Sequence, residues 1–72
     1  AQVDLHLERP GVLNVQMLDM NGRLISNLYE QMVPAGDFIL PVSLNDLPPG
    51  MYLIRASHNA QSKVMRLVHI RP

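Results

Sequence analysis

The chain has 72 residues, 47% of them hydrophobic and 17% charged, which suffices for one thin core and leaves no room for a second domain. It contains no cysteine, so disulfide frameworks and thiolate metal sites are excluded, while export through an oxidising compartment stays open. The formal net charge is zero, yet the residues up to Asp46 carry −4 and those after it, through Arg55, Lys63, Arg66 and Arg71, carry +4. Such an asymmetry either pairs and solvates within the fold or steers a partner, and with so few charges the first is the plainer reading. No apolar run approaches the roughly 20 residues that span a bilayer, and no leader is visible at Ala1; an export signal of the usual kind is expected upstream, if there is one.

Short runs of period-two alternation, broken by Gly, Pro, Asn and Asp, dominate the chain. Val3, Leu5 and Leu7 alternate with polar neighbours and predict a first strand that ends at Arg9-Pro10-Gly11. Leu13, Val15 and Met17 then share one face of a second strand, with Asn14, Gln16 and Leu18 on the other. Asn21-Gly22 has the residue types of a type I′ turn, with Arg23 to Tyr29 returning as the hairpin partner. After a loop at Val33-Pro34-Ala35-Gly36, the residues Phe38, Leu40 and Val42 mark one face of a strand whose Pro41 predicts an unpaired edge. Pro49-Gly50 predicts a type II turn, Met51 to Ser57 a strand, Asn59-Ala60-Gln61 a polar turn, and Lys63 to Ile70 the last strand. Six or seven antiparallel strands without a helix predict an all-β, immunoglobulin-like β-sandwich, one domain over residues 1–72.

Chemistry-bearing clusters do not emerge. The acids are spread singly among strands, which gives no general acid and base pair. His6, His58 and His69 lack zinc-ligand spacing, and Ser26, Ser43, Ser57 and Ser62 sit in no nucleophile elbow. The four glycines lie in separate turns, and Tyr29, Phe38 and Tyr52 are the only aromatics, so neither a phosphate loop nor a base-stacking platform is expected. No catalytic residue, cofactor, metal, nucleic acid or small-molecule substrate is assigned. Met17 and Met65 read as core, while Met20, Met32 and Met51 are expected beside turns and partly exposed.

The last strand is apolar on both faces, with Val64, Val68 and Ile70 on one and Met65 and Leu67 on the other. Either it is a central strand covered on both sides, or it is an edge or outer face that another protein contacts through Lys63, Arg66, Leu67, Val68, His69, Ile70 and Arg71. An exposed edge also permits strand exchange between isolated copies. Gly22 and Gly50 are expected at positive φ, and Tyr52 is expected to turn its ring inward with the hydroxyl at the rim.

Four features occur in order: Asp19-Met20-Asn21-Gly22-Arg23 before the apolar pair Leu24-Ile25; Ala35-Gly36 before a strand; Leu47-Pro48-Pro49-Gly50-Met51-Tyr52; and the basic, apolar ending from Lys63 to Pro72. Together they resemble the type A C-terminal sorting domain of the type IX secretion system of Bacteroidetes, over nearly the whole chain. Each piece alone is an ordinary turn or strand entry, and their order and spacing carry the resemblance. Asp19, Gly22, Arg23, Gly36, Gly50 and Tyr52 are the positions that match the family's fold motif. The Pro-Asn-Pro type stretch that often precedes such domains is missing, which suggests a piece of a larger exported protein. Arg66 stands where a Lys-Lys pair is common, which keeps the charge and changes its hydrogen-bonding shape.

The resemblance implies a signal that takes a folded cargo through the periplasm and across the outer membrane, to the cell surface or the medium. Its implied partners are the translocon, an outer-membrane shuttle protein and a sortase-like signal peptidase, which removes the domain so that the cargo is released or joined to lipopolysaccharide. The alternative is an immunoglobulin-like accessory binding or adhesion module of a surface protein. A relation to the immunoglobulin-like domains of flagellar hook-cap proteins would share the D-x-x-G-R hairpin and the G-x-Y strand, but the Trp-Asp-Gly-like segment of those domains is absent.

Overall fold

The structure, a computed structural model, describes residues 1–70. It contains six strands and no helix: β1 (Gln2–Leu7), β2 (Gly11–Leu18), β3 (Leu24–Val33), β4 (Gly36–Pro41), β5 (Gly50–His58) and β6 (Gln61–His69). All pairings are antiparallel, and they form a two-stranded sheet β1-β4 and a four-stranded sheet in the order β3-β2-β5-β6. This is the all-β arrangement of two antiparallel sheets that the alternation predicts, with the strand count at six. Pro41 ends β4, which pairs only with β1, so its missing N–H faces no ladder partner.

The core follows from the alternation. Val3 and Leu7 of β1, Leu13, Val15 and Met17 of β2, and Tyr52, Ile54 and Ala56 of β5 form one buried cluster with Val33 and Val42. Leu13, Val15, Met17 and Ile54 are the largest side chains with almost no exposure, and all four lie on β2 and β5, the two central strands of the larger sheet. Burying each contributes roughly 1.5–3 kcal/mol, so the domain rests on the contact between these two strands. Phe38 and Leu40 of β4 pack on the cluster from the smaller sheet, and Phe38 meets Tyr29 of β3 with ring centroids 5.0 Å apart.

Three local expectations need correction. The turn between β2 and β3 is not type I′: among its residues only Gly22 has positive φ, at 86°. The Gly22 amide donates to the Asp19 carbonyl at 3.0 Å, and the Asp19 Oδ1 accepts from the amides of Asn21 and Arg23, each at 2.9 Å. The aspartate thus closes a type I turn on Met20-Asn21 and hands the strained position to the glycine, a three-residue loop with a G1-type bulge. Asn59 and Ala60 instead hold the two positive φ values, 49° and 66°, in the two-residue turn that joins β5 to β6. Next, the hydrogen-bonded turn before β5 spans Leu44 to Leu47, where the Leu47 amide donates to the Leu44 carbonyl at 3.0 Å. Gly50, with φ 154°, opens β5, and the Pro48 carbonyl that a type II turn would use accepts the Tyr52 hydroxyl instead.

The third correction concerns β3, which runs on to Val33 because β2 offers it partners back to Gly11. The register shifts between Val15 and Gln16, which leaves Leu28 as the extra residue between Tyr29 and Asn27. Such a bulge breaks period two, which is why the alternation stops short of the strand's true end.

Of the expected pairing and solvation of charges, the cations of the described residues show solvation, each being exposed. Among the described residues, no Lys or Arg lies within salt-bridge distance of a carboxylate; the ion pairs are those of His6, with Asp37 at 2.8 Å and Glu8 at 3.6 Å. His6 and Asp37 face each other across β1 and β4. The hydrogen bond that the His6 ring donates to the Asp37 carboxylate, helped by the carboxylate's charge, holds the imidazole above its ordinary range.

Two outcomes are expected from these turns and this pair. Gly22→Ala places a side chain where nothing crowds it but φ is left-handed, and it should cost about 1 kcal/mol, roughly 4–8 °C in Tm. Ala60→Gly relieves the same strain and should gain about 0.5–1 kcal/mol, both checked by thermal unfolding. Because the folded pKa of His6 is raised, its contribution is complete below the unfolded value of 6.5 and is lost as pH rises through the folded one. An NMR titration should place His6 above its unfolded value of 6.5, and Asp37→Asn should bring it down; an unmoved midpoint would refute the assignment.

Candidate functional site

β6 is built by the hairpin that precedes it. The Asn59-Ala60 turn sets His58 opposite Gln61, and from there the register runs without a break to Gly50 opposite His69. The turn is tied down by Asn59, whose side-chain amide donates to the Pro10 carbonyl at 3.2 Å. Gly11 leaves room for it, since a Cβ there would lie 2.2 Å from the Asn59 Oδ1.

β6 pairs with β5 on one side and with no other strand among the described residues, so it is an edge. A two-residue hairpin starts on a hydrogen-bonded pair, and in an antiparallel ladder such pairs alternate with non-bonded ones. Lys63, Met65 and Leu67 therefore spend their backbone groups on β5, while those of Val64, Arg66 and Val68 point to the open side.

The same alternation sorts the side chains. Lys63, Met65 and Leu67 lie on the core side, opposite Ala56, Ile54 and Tyr52, and Met65 and Leu67 are half-buried against the core. Val64, Arg66, Val68 and Ile70 are exposed, with Val64 at 54%, Val68 at 55% and Ile70 at 76%. The candidate contact residues thus divide: Arg66, Val68 and Ile70 belong to the exposed set, Lys63, Leu67 and half-buried His69 to the core-side set, and Arg71 lies outside the described residues. The open face extends past β6. Met51, Leu53 and Arg55 of β5 stand opposite Val68, Arg66 and Val64, Leu18 of β2 stands opposite Leu53, and Leu24 of β3 opposite Leu18.

Leu18 is buried yet stands apart from the core cluster, as expected of a leucine covered by its neighbours on the outer face. An apolar band from Leu24 through Leu18, Leu53 and Met51 to Val68 therefore crosses the sheet, with Arg55 and Arg66 beside it. Among the described residues neither guanidinium meets a carboxylate; Arg55 donates to the Gln16 side chain at 2.6 Å. The sequence reading named the β6 members of this band and missed Leu24, Met51, Leu53 and Arg55. The signal was present in Leu53, an apolar residue on the wet side of the strand that buries Tyr52 and Ile54.

The fold-motif residues lie away from the edge. Asp19, Gly22 and Arg23 form the β2–β3 turn, Gly36 opens β4 with φ 124°, and Gly50 and Tyr52 begin β5. The Tyr52 ring is buried and its hydroxyl reaches the Pro48 carbonyl, as expected of an inward ring with a polar tip at the rim. An open groove of about 430 Å³ between β1 and the start of β6 is bordered by Glu8, Arg9, His58 and Lys63. No group of three or more possible metal ligands occurs among the described residues.

The arrangement offers another chain a row of backbone donors and acceptors, an apolar band and free cations, which is equipment for docking. A family model described as a secretion system C-terminal sorting domain matches residues 1–71. No curated protein and no solved structure matches the chain. With the match covering all but the last residue, the chain belongs to the C-terminal sorting domain family of type IX secretion, a family of sorting signals and not of enzymes.

Proposed function

We propose that the domain is a removable export address whose readable part is β6 and the outer sheet face beside it. The observation that carries this reading is the free edge: among the described residues β6 pairs with one strand only, and Val64 and Val68, whose backbone groups point to the open edge, also expose their side chains on the outer face. A machine that handles cargos of unrelated fold cannot read their surfaces, so the constant domain must present the recognition surface itself. Membership in a type IX sorting family implies contact with the secretion machinery and export across the outer membrane.

In this reading the domain, one immunoglobulin-like unit over residues 1–72 of a larger exported protein, reaches the periplasm attached to its cargo. The translocon and an outer-membrane shuttle protein bind the β6 side. A sortase-like peptidase then cuts on the cargo side of the domain, and the cargo is released or attached to lipopolysaccharide. The turn residues Asp19, Gly22, Gly36 and Gly50, with Tyr52, hold the sandwich in shape and act on recognition through the placement of β6. An adhesion module of the same fold would remain with its protein and would need no secretion machinery.

The test fuses residues 1–72 to a reporter bearing an export leader, in cells with and without a working type IX system. Release should require the working system, and deleting residues 68–72 should abolish it. Because that deletion also removes the pairing of Val68 and His69 with β5, a second variant, Val64→Gln with Val68→Gln, alters only exposed side chains. Each substitution should shift stability by no more than about 0.5 kcal/mol while release falls at least fivefold. Full release of the folded double variant would overturn the assignment of β6, and release without the type IX system would overturn the sorting reading.

A further inference from the structure

The edge of β6 specifies the chemistry of the strand that would complete it. On the outer face the open side presents apolar Val64, cationic Arg66 and apolar Val68 in alternation; on the core side it presents Lys63, Met65 and Leu67, the last two only half covered. No carboxylate of the domain pairs with either cation among the described residues. Directly opposed cross-strand residues interact favourably when apolar groups meet or charges are opposite, and unfavourably when charges are alike.

Resting on the reading of β6 as the recognised surface, we propose that its free edge is filled by an antiparallel strand of a partner protein that carries carboxylates opposite Arg66 and Lys63 and apolar residues opposite Val64, Met65, Leu67 and Val68. Read from its N-terminus, that strand is apolar, apolar, acidic, apolar, apolar, acidic. The backbone of its first, third and fifth residues meets the open N–H and C=O groups of Val68, Arg66 and Val64. Its second and fourth side chains extend the core over Leu67 and Met65.

A second copy of the domain is a poorer occupant. In an antiparallel β6–β6 pairing the two Arg66 side chains stand opposite each other in the register centred on Arg66, and diagonal in the register centred on Met65. β6 has no acid to relieve either arrangement. Charge therefore selects a foreign acidic strand over self-association.

The probe is a soluble peptide containing Val-Leu-Glu-Ile-Val-Glu with polar flanks, titrated into the 72-residue domain by calorimetry. Replacing the first Glu by Lys should weaken binding at least fivefold, and the domain variant Arg66→Glu should reverse that preference. N-methylation of the first Glu should abolish binding, whereas N-methylation of the Ile, whose amide points away from β6, should leave it within twofold. Equal affinity for the Glu and Lys peptides, equal effects of the two methylations, or a domain that sediments as a dimer the peptide does not dissociate would each overturn the proposal. The reporter assay separates this failure from that of the sorting reading: type IX-dependent release together with indifferent peptides removes the strand code and leaves the address intact.

Discussion

An antiparallel strand turns its backbone groups alternately to its two sides, and a strand with one neighbour leaves half of them for water or for a partner. In this domain β1, β3, β4 and β6 each have one neighbour among the described residues, and in β6 the hairpin register assigns the free groups to Val64, Arg66 and Val68, the residues whose side chains also face outward. Free backbone groups thus coincide with exposed side chains at these three residues, apolar at Val64 and Val68 and cationic at Arg66. Natural edges are usually blunted by prolines, bulges or inward charges. β4 ends in Pro41 and β3 carries bulges against β2, whereas β6 continues without either from Gln61 to His69. Its cations are the one feature that resists self-pairing.

The division of strands into two and four makes this condition structural. A two-stranded sheet covers only part of a four-stranded one, so the core concentrates under β2 and β5, and the flanks are half covered at Met65 and Leu67 on one side and at Leu28 and Tyr29 on the other. A domain of 72 residues with no cysteine has little stability to spare. Its turns carry much of the specification: the Asp19 carboxylate fixes the β2–β3 turn, the Tyr52 hydroxyl anchors the entry to β5, and Asn59 ties the last hairpin to the start of β2.

Much of this was legible in the sequence because period-two alternation reports burial directly. Leu13, Val15 and Met17 share a face in the sequence, and with the inward Tyr52 ring they lie in the core of the structure. What stayed hidden was of two kinds. Side chains that act on distant backbone, such as Asp19 taking two amides or Tyr52 taking the Pro48 carbonyl, change a turn's type without changing the residue types that flank it. Bulges such as the one at Leu28 shift the phase of alternation, and the reading of β3 stopped there. The candidate site showed the same limit: the β6 members of the outer band were visible as an over-apolar strand, but the joining of Leu24, Leu18, Leu53 and Met51 to them depends on cross-strand register, which no single strand encodes.

The central claim is that β6 is an open edge whose free backbone groups belong to Val64, Arg66 and Val68. Native-state amide hydrogen exchange, followed residue by residue, tests it most directly. Slow exchange at Met65 and Leu67 alternating with fast exchange at Val64, Arg66 and Val68 is the result this account requires. Uniformly slow exchange along the strand in the monomer would mean that the edge is covered, and would contradict it.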